Sequence, residues 1–292
     1  MVDGFAARQG DIQGNSSWRE RGSFLETHRE KLSLDKFVSY YSAAPWLACL
    51  RYIEVEESRM FSQTYDSPVL DLGCGDGFVA SQVLQGLTSI GIDIDEKPLQ
   101  AARSSGPYSL ILNSGARHLP FRDQTFGTVY SNGAMEHMKE LEAVIAEIYR
   151  VLKMGGRLIT FVPSQRFREP PGVLAKLLGQ RSWNAFNGFQ SHVNLISSDQ
   201  WRSQLGAAGF VVDTIHRYGS KEFAVTLSLY DLCSKLHMQR RRPFFCLRHS
   251  GNMGRVLVRF LRLFKPLPMP KEDDFGSKAG GFWMMIAAHR PS

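Results

Sequence analysis

Residues 69–80, VLDLGCGDGFVA, place a short apolar run directly before a glycine-rich turn. The run predicts a buried strand, and the residues after the turn predict the start of a helix. Glycines let a backbone come close to a ligand, and the first amides of a helix are free to donate hydrogen bonds. This stretch therefore predicts a binding site for a nucleotide-like ligand.

The spacing of the glycines indicates which ligand this is. Gly73, Gly75 and Gly77 read G-x-G-x-G, whereas a dinucleotide site needs G-x-G-x-x-G, and position 78 is Phe. Such a turn suits a ligand that has less phosphate than a dinucleotide, or none. Asp93 ends the next predicted strand, where an acid accepts hydrogen bonds from two ribose hydroxyls. A ribose without a pyrophosphate indicates S-adenosylmethionine (SAM).

Predicted strands and helices alternate along most of the chain. Further strands are expected at 109–113, 126–132, 157–163, 210–219 and 281–290, and helices at 35–57, 76–86, 96–106, 141–152 and 197–209. Alternation of this kind indicates a mostly parallel sheet that is covered by helices on both faces. The expected fold is α/β and Rossmann-like.

Four stretches in register carry a resemblance to a known family. They are VLDLGCGDG (69–77), GIDI (91–94), ARHLPFRDQTFGTVYSNGAMEHM (116–138) and EIYRVLKMGGRLITFVP (147–163). In order and spacing they resemble a class I SAM-dependent methyltransferase of the small-molecule branch with LPF and EH motifs. The resemblance implies a seven-stranded sheet, SAM as the cofactor, and methyl transfer to an O, N or C atom of a small-molecule or lipid-linked acceptor.

The resemblance also implies a set of cofactor-binding residues. These are Asp71, Gly73, Cys74, Gly75, Asp93, Ile94, Gly115, Ala116, Leu119 and Asn132. Gly115 stands where the family usually has an acid beside the adenine amino group. Adenine is therefore expected to be held by the backbone at Gly115 and Ala116, with apolar contacts from Leu119.

Two histidines are candidates for a general base, which methyl transfer needs only when the acceptor is a hydroxyl or an acidic carbon. His137 follows the fourth strand, at the sheet edge where ligands bind in such folds. His192 lies in a connection where such enzymes place substrate residues. Each histidine also has a structural interpretation, as the start of a helix or as a hydrogen-bonding anchor. No carboxylate cluster suggests a metal, so none is expected.

Charge and the last two strands define the domain organisation. We expect a flexible N-terminus at 1–22 and a helical cap at 23–66. The SAM-binding core is expected at 67–219, with a substrate insert around 164–195. A basic amphipathic helical insertion at 220–279 and the final strand at 280–292 follow. Residues 221–280 hold twelve Lys and Arg against five Asp and Glu, a surplus equal to the net charge of +7 of the whole chain. All the excess basicity is therefore in this one insertion.

The basic insertion has three interpretations. MGRVLVRFLRLFKPL (253–267) places Arg255, Arg259 and Arg262 on one face of a helix whose other positions are apolar, as in helices that dock on anionic membranes. A soluble lid over the substrate and a dimer contact are the alternatives. The sequence has neither a signal peptide nor an uncharged apolar run long enough to span a bilayer, so a cytoplasmic protein, peripheral on the membrane, is expected.

Two other function classes stay open. A nucleic-acid methyltransferase would explain the basic charge, but the Asn/Asp-Pro-Pro-aromatic motif is missing after the fourth strand, where SNGAM stands. A non-catalytic scaffold with a SAM fold is the second alternative.

Overall fold

The computed structural model describes residues 32–42, 45–61, 64–169, 184, 191–219, 223–224 and 281–292. Residues from Leu34 onward cluster as one unit. The predicted flexible N-terminus at 1–22, most of the substrate insert and nearly all of the basic insertion lie outside the described residues. Of the described helices, none is both long and apolar enough to cross a membrane.

One seven-stranded sheet forms the centre of the fold. Its strands are β1 (Val69–Leu72), β2 (Ser89–Asp93), β3 (Leu110–Asn113), β4 (Phe126–Asn132), β5 (Leu152–Pro163), β6 (Val211–Tyr218) and β7 (Trp283–His289). The spatial order is β3-β2-β1-β4-β5-β7-β6, and only β7 runs antiparallel to its neighbours. The expected α/β sheet with an antiparallel final pair is confirmed.

The described residues include six α-helices. They are α1 (Leu34–Tyr40), α2 (Pro45–Phe61), α3 (Phe78–Val83), α4 (Glu96–Ser105), α5 (Leu141–Val151) and α6 (Ser198–Ala207). The apolar stripe of α5 is buried in a core cluster that also contains Trp201 of α6. A capping box between Ser197 and Gln200 starts α6, which explains why this boundary was predictable.

Two predicted helices differ from the structure. The single helix expected at 35–57 is two helices, because Tyr41 and Ser42 form a turn and a proline opens α2 at the first position, where its missing N–H costs nothing. The helix expected to reach Gly86 ends at Val83. There the N–H of Leu84 bonds to the carbonyl of Ala80 and the chain turns before the glycine.

The order of the sheet reverses at β1, and this fixes where a ligand can bind. β1 pairs with β2 on one side and with β4 on the other, and all four of its residues are buried. Crossovers leave β1 and β4 in opposite directions, so a crevice opens at the carboxyl ends of these strands. The glycine turn, Asp93 and Asn132 all lie at this edge.

Candidate active site

The glycine turn connects β1 to α3 at the crevice. The backbone N–H groups of Gly73 and Cys74 both donate to the carbonyl of Ile92, at 2.8 and 3.0 Å, so the turn is tied to β2. Gly75 has a φ of +54°, and a Cβ built on it would have no atom within 4 Å. The backbone at Gly75 therefore borders open space that a ligand can fill.

Asp93 holds the turn and faces the same space. Its Oδ2 accepts a hydrogen bond from the N–H of Gly75 at 2.9 Å, and its Oδ1 accepts one from the N–H of Asp95 at 2.9 Å. A carboxylate oxygen has more than one acceptor position, so both can still receive ribose hydroxyls. Asp93 thus combines a structural role in the turn with the geometry of a ribose acceptor.

A cavity of about 780 Å³ brings most of the predicted cofactor residues together. Its lining contains Asp71, Gly73, Cys74, Gly75, Asp93, Ile94, Gly115, Ala116 and Asn132, together with the candidate base His137. The same lining includes Tyr41, from the turn after α1, and Arg51 of α2. This volume lies within the range of small-molecule sites.

Leu119 differs from the other nine predicted cofactor residues, because it does not line the cavity. Its side chain is 4% exposed and belongs to a core cluster of buried residues. Its N–H donates to Glu147 at 2.8 Å, and its carbonyl accepts from Arg150 at 3.0 Å. These two bonds hold the LPF segment against α5.

A buried carboxyl lies beneath the turn. Asp71 is 4% exposed, and its Oδ2 accepts a hydrogen bond of 2.5 Å from the hydroxyl of Tyr108. Burial raises the pKa of Asp71 from 3.8 to about 7, Tyr108 opposes this rise, and the charge of Asp93 adds to it. Burial also raises the pKa of the neighbouring Cys74 thiol, which stays protonated and acts as a packing group.

Arg51 of α2 brings a positive charge to the cavity wall. One guanidinium nitrogen donates to Asn132 Oδ1 and to Glu54 Oε2, both at 2.5 Å. The amide nitrogen of Asn132 is buried and has no hydrogen-bond partner among the described residues. Sequence reasoning missed both Arg51 and Tyr108, since neither belongs to a motif and their partners are 81 and 37 residues away.

Three side chains form what we call the Glu–His cluster: Glu136, His137 and His192. One potential ligand atom from each lies within 4.8 Å of the others. Glu136 and His137 belong to a 3₁₀ turn, Met135–His137, that follows β4. The rings of His137 and His192 are 5.1 Å apart, although only His137 lines the cavity. The structure thus brings the two predicted bases together.

Glu136 is the unexpected member of this cluster. It is 5% exposed, and its Oε2 has no hydrogen-bond partner among the described residues. Burial raises the pKa of this carboxyl to about 7, against a lowering effect of His137. The EH motif was a signal for Glu136, but the sequence assigned a catalytic role only to the histidine.

Known proteins share this domain. Residues 70–160 match the family described as Methyltransferase domain. A demethylmenaquinone methyltransferase of Symbiobacterium thermophilum is 33% identical over 146 residues, which cover 46% of this chain and 58% of that protein. A probable S-adenosylmethionine-dependent methyltransferase of Mycobacterium tuberculosis, MT3114, is 28% identical over 81% of this chain and 76% of that protein.

Coverage of other relatives is smaller. The match spans 26% of the sterol 24-C-methyltransferase erg6 of Schizosaccharomyces pombe and 41% of a malonyl-[acyl-carrier protein] O-methyltransferase of Hamiltonella defensa. The chain thus spans about half the length, or less, of several curated relatives that it matches.

Solved structures share the fold at low sequence identity. A putative sarcosine dimethylglycine methyltransferase from Galdieria sulphuraria has a TM-score of 0.54 at 16% identity, covering 83% of this chain and 86% of that one. The [4+2]-cyclase SpnF has a TM-score of 0.53 at 18% identity, with 81% and 80% covered. With the glycine turn, Asp93 and the cavity in place, residues 70–160 form a class I SAM-dependent methyltransferase domain, and S-adenosylmethionine is its cofactor.

Proposed function

We propose that this protein is a methyltransferase that acts on a small-molecule or lipid-linked acceptor. The observation that carries the proposal is the single cavity shared by the glycine turn, the carboxylate of Asp93 and the ring of His137. A cofactor-binding turn and a potential proton acceptor on one cavity wall are what methyl transfer to a hydroxyl or acidic carbon needs. The names of the relatives support the same reaction type.

The chain offers groups for each part of SAM, which supplies an electrophilic methyl group when it is bound. We assign Asp93 to the ribose, and the space beside Gly75 admits the ligand. Gly115 and Ala116 line the cavity and are assigned to adenine. The carboxyl of Asp71 also lines the cavity, where a bound cation favours its ionised form, and Asn132 adds a buried amide donor.

His137 is the proposed base when the acceptor must lose a proton. Its Nδ1 lies 3.1 Å from the carbonyl oxygen of Ser191. Because a carbonyl only accepts, Nδ1 carries the proton, and the Nε2 of the neutral ring is left as the acceptor. The ring of His192 packs 5.1 Å from that of His137, and His192 does not line the cavity, so its proposed role is to position the His137 ring.

The names of the relatives support a general class of acceptor. Their names specify demethylmenaquinone, a sterol carbon and a malonyl group on acyl-carrier protein. These are an apolar small molecule, a lipid and a carrier-linked acid. We infer that the acceptor here is likewise an apolar or carrier-linked molecule rather than a nucleic acid.

The basic insertion extends this proposal to a membrane surface. Its sequence combines three arginines at helical spacing with large apolar residues, and QRRRPFF (239–245) adds a second basic group. Each basic residue near an anionic surface contributes about 1 kcal/mol to binding. We therefore propose a cytoplasmic enzyme that is peripheral on the membrane. These residues lie outside the described part of the chain, so their sequence alone supports this step.

Co-sedimentation with anionic vesicles tests the membrane proposal. The full chain should pellet with phosphatidylserine-containing vesicles at low salt and be released at high salt, because exposed charges are screened. A variant with Arg255, Arg259 and Arg262 replaced by Gln should stay in solution. No pelleting of the unaltered chain would favour a lid, and a concentration-dependent dimer in solution would favour a dimer contact.

A methyl-release assay tests the proposed reaction. The protein should form S-adenosylhomocysteine from SAM when quinol, sterol or acyl-thioester acceptors are supplied. SpnF, which shares the fold, is described as a [4+2]-cyclase, so the fold alone does not specify methyl transfer. SAM binding without product from any of these acceptors would favour a scaffold, and product from DNA or RNA alone would favour the nucleic-acid alternative.

A further inference from the structure

We propose that the Glu–His cluster binds one divalent transition-metal ion of the zinc class at the rim of the cofactor cavity. The cluster offers two imidazoles and one carboxylate, a donor set that suits zinc and other ions of this type. Its three candidate ligand atoms lie within 4.8 Å of one another.

The orientation of His137 is the first reason to place a cation here. Its Nδ1 donates to the Ser191 carbonyl at 3.1 Å, so the Nε2 of the neutral ring presents a lone pair. That Nε2 is 3.8 Å from Oε1 of Glu136. A lone pair and a carboxylate oxygen repel each other at this distance unless a proton or a metal ion lies between them. A backbone carbonyl bonded to the second ring nitrogen is also how proteins orient metal-ligating histidines.

The buried carboxylate is the second reason. Oε2 of Glu136 has no hydrogen-bond partner among the described residues, and the residue is 5% exposed. A buried carboxyl oxygen without a hydrogen-bond partner is costly. An ion bound by this carboxylate would remove that cost.

The backbone around the cluster is held in place before any ion arrives. The carbonyl of Glu136 accepts from the N–H groups of Val193 and Asn194, at 2.8 and 2.9 Å. The side chain of Asn194 donates to the carbonyls of Met135 and Met138, at 2.9 and 2.6 Å. These four bonds fix the segment that carries His192 against the turn that carries Glu136 and His137. Ligand shells supported in this way bind metals more tightly.

Small side-chain movements would complete the coordination. Ligand atoms about 2.1 Å from a tetrahedral zinc ion are roughly 3.4 Å apart from one another. The three atoms of the cluster are up to 4.8 Å apart, so each must move toward the ion by about 1 Å or less. His137 has a half-exposed side chain, which gives it the freedom to make this adjustment. Three protein ligands leave one coordination position open.

The consequence for the reaction rests on the proposed function. His137 lines the cavity, so an ion bound by it would lie at the cavity wall. An acceptor hydroxyl in the open position would have a lowered pKa, as water does on zinc. The acceptor class that fits is then a hydroxylated molecule. In that state the ion, and not His137, would promote loss of the hydroxyl proton.

Cobalt binding followed by visible absorption tests the site without any measurement of activity. The full chain without a polyhistidine tag is freed of metal with a chelator and titrated with Co²⁺. We expect one equivalent to produce the intense visible bands of a tetrahedral or five-coordinate ion, and Zn²⁺ to abolish them. His137→Ala, His192→Ala and Glu136→Gln should each weaken Co²⁺ binding at least tenfold.

A histidine–carboxylate pair on strands β6 and β7 provides a matched control. His289 pairs with Asp213 at 2.7 Å, and no second histidine of the described residues joins this pair. His289→Ala should therefore leave Co²⁺ binding unchanged. Because His137 is half-exposed, His137→Ala should fold, and circular dichroism checks this. Absence of the bands in the unaltered chain, or their persistence in His137→Ala, would overturn the proposal.

SAM titration in excess chelator is the independent test of the methyltransferase assignment, and SAM binding should persist under these conditions.

Discussion

The carboxylate of Asp93 accepts a hydrogen bond of 2.9 Å from the backbone N–H of Gly75, eighteen residues earlier in the chain. This bond joins the end of β2 to the turn after β1, and so it shapes the cavity in which both residues lie. Replacing Asp93 should therefore weaken SAM binding in two ways, because it removes the proposed ribose acceptor and a bond that holds the turn.

Asp93→Ala should weaken SAM binding by ~1.5–3 kcal/mol, about 10- to 150-fold in Kd, because the buried donors lose their charged acceptor. Asp95→Ala is the matched control. Asp95 caps α4 through Lys97 at 3.0 Å and does not line the cavity. Its loss should lower stability by about 1 kcal/mol and leave SAM affinity intact. Unchanged affinity in Asp93→Ala, measured by calorimetry, would exclude the ribose assignment.

The Asp71 carboxyl makes SAM binding depend on pH. Burial raises its pKa to about 7, so a large part of this group is protonated near neutrality before SAM binds. The positive sulfonium favours the ionised form, so binding should release a proton and affinity should rise with pH up to about 7. Calorimetry at pH 6 and pH 8, in buffers of different ionisation enthalpy, counts the protons.

Asp71→Asn keeps an oxygen that can accept from Tyr108 and removes the titration, so proton release should fall in this variant. The unaltered protein should also lose stability as pH rises from about 4 to about 7. In that range the folded state, with the raised pKa, binds more protons than the unfolded state. Equal proton release by Asp71→Asn and the unaltered protein would show that another group titrates.

His137→Ala should lower turnover by ~10²–10⁴-fold while SAM binding survives, if this ring accepts the proton of the acceptor. His192→Ala should have a smaller effect, since His192 contacts His137 but does not line the cavity. Activity that persists in excess chelator would assign His137 as a base, and activity lost in chelator would assign it as a metal ligand. If neither substitution lowers turnover, the acceptor is an amine or an already ionised group.

Most of the fold was predictable because its signals are local. The strand before the glycine turn, the serine cap of α6 and the apolar stripe of α5 each lie within one contiguous stretch. Nine of the ten residues that the sequence assigned to the cofactor line one cavity, because they lie in motifs that keep their spacing. The break between α1 and α2 was missed since the apolar period continues through it.

The unpredicted parts of the site depend on distant pairings. Tyr108 meets Asp71, and Arg51 meets Asn132, across separations of 37 and 81 residues that no local pattern encodes. The burial of Leu119 depends on distant pairings as well. The resemblance implies a ligand contact for this residue, whereas bonds to Glu147 and Arg150 hold it in the core.

SAM titration of two glycine variants tests the central claim most directly. Gly75 and Gly86 both have positive φ, +54° and +78°, and a Cβ on either would have no atom within 4 Å. Gly75→Ala and Gly86→Ala should therefore cost similar stability, about 1 kcal/mol from the backbone strain. Only Gly75 lines the cavity. We predict that the unaltered chain and Gly86→Ala bind one SAM with the same affinity and that Gly75→Ala binds it at least tenfold more weakly. Full affinity in a folded Gly75→Ala protein would contradict the account.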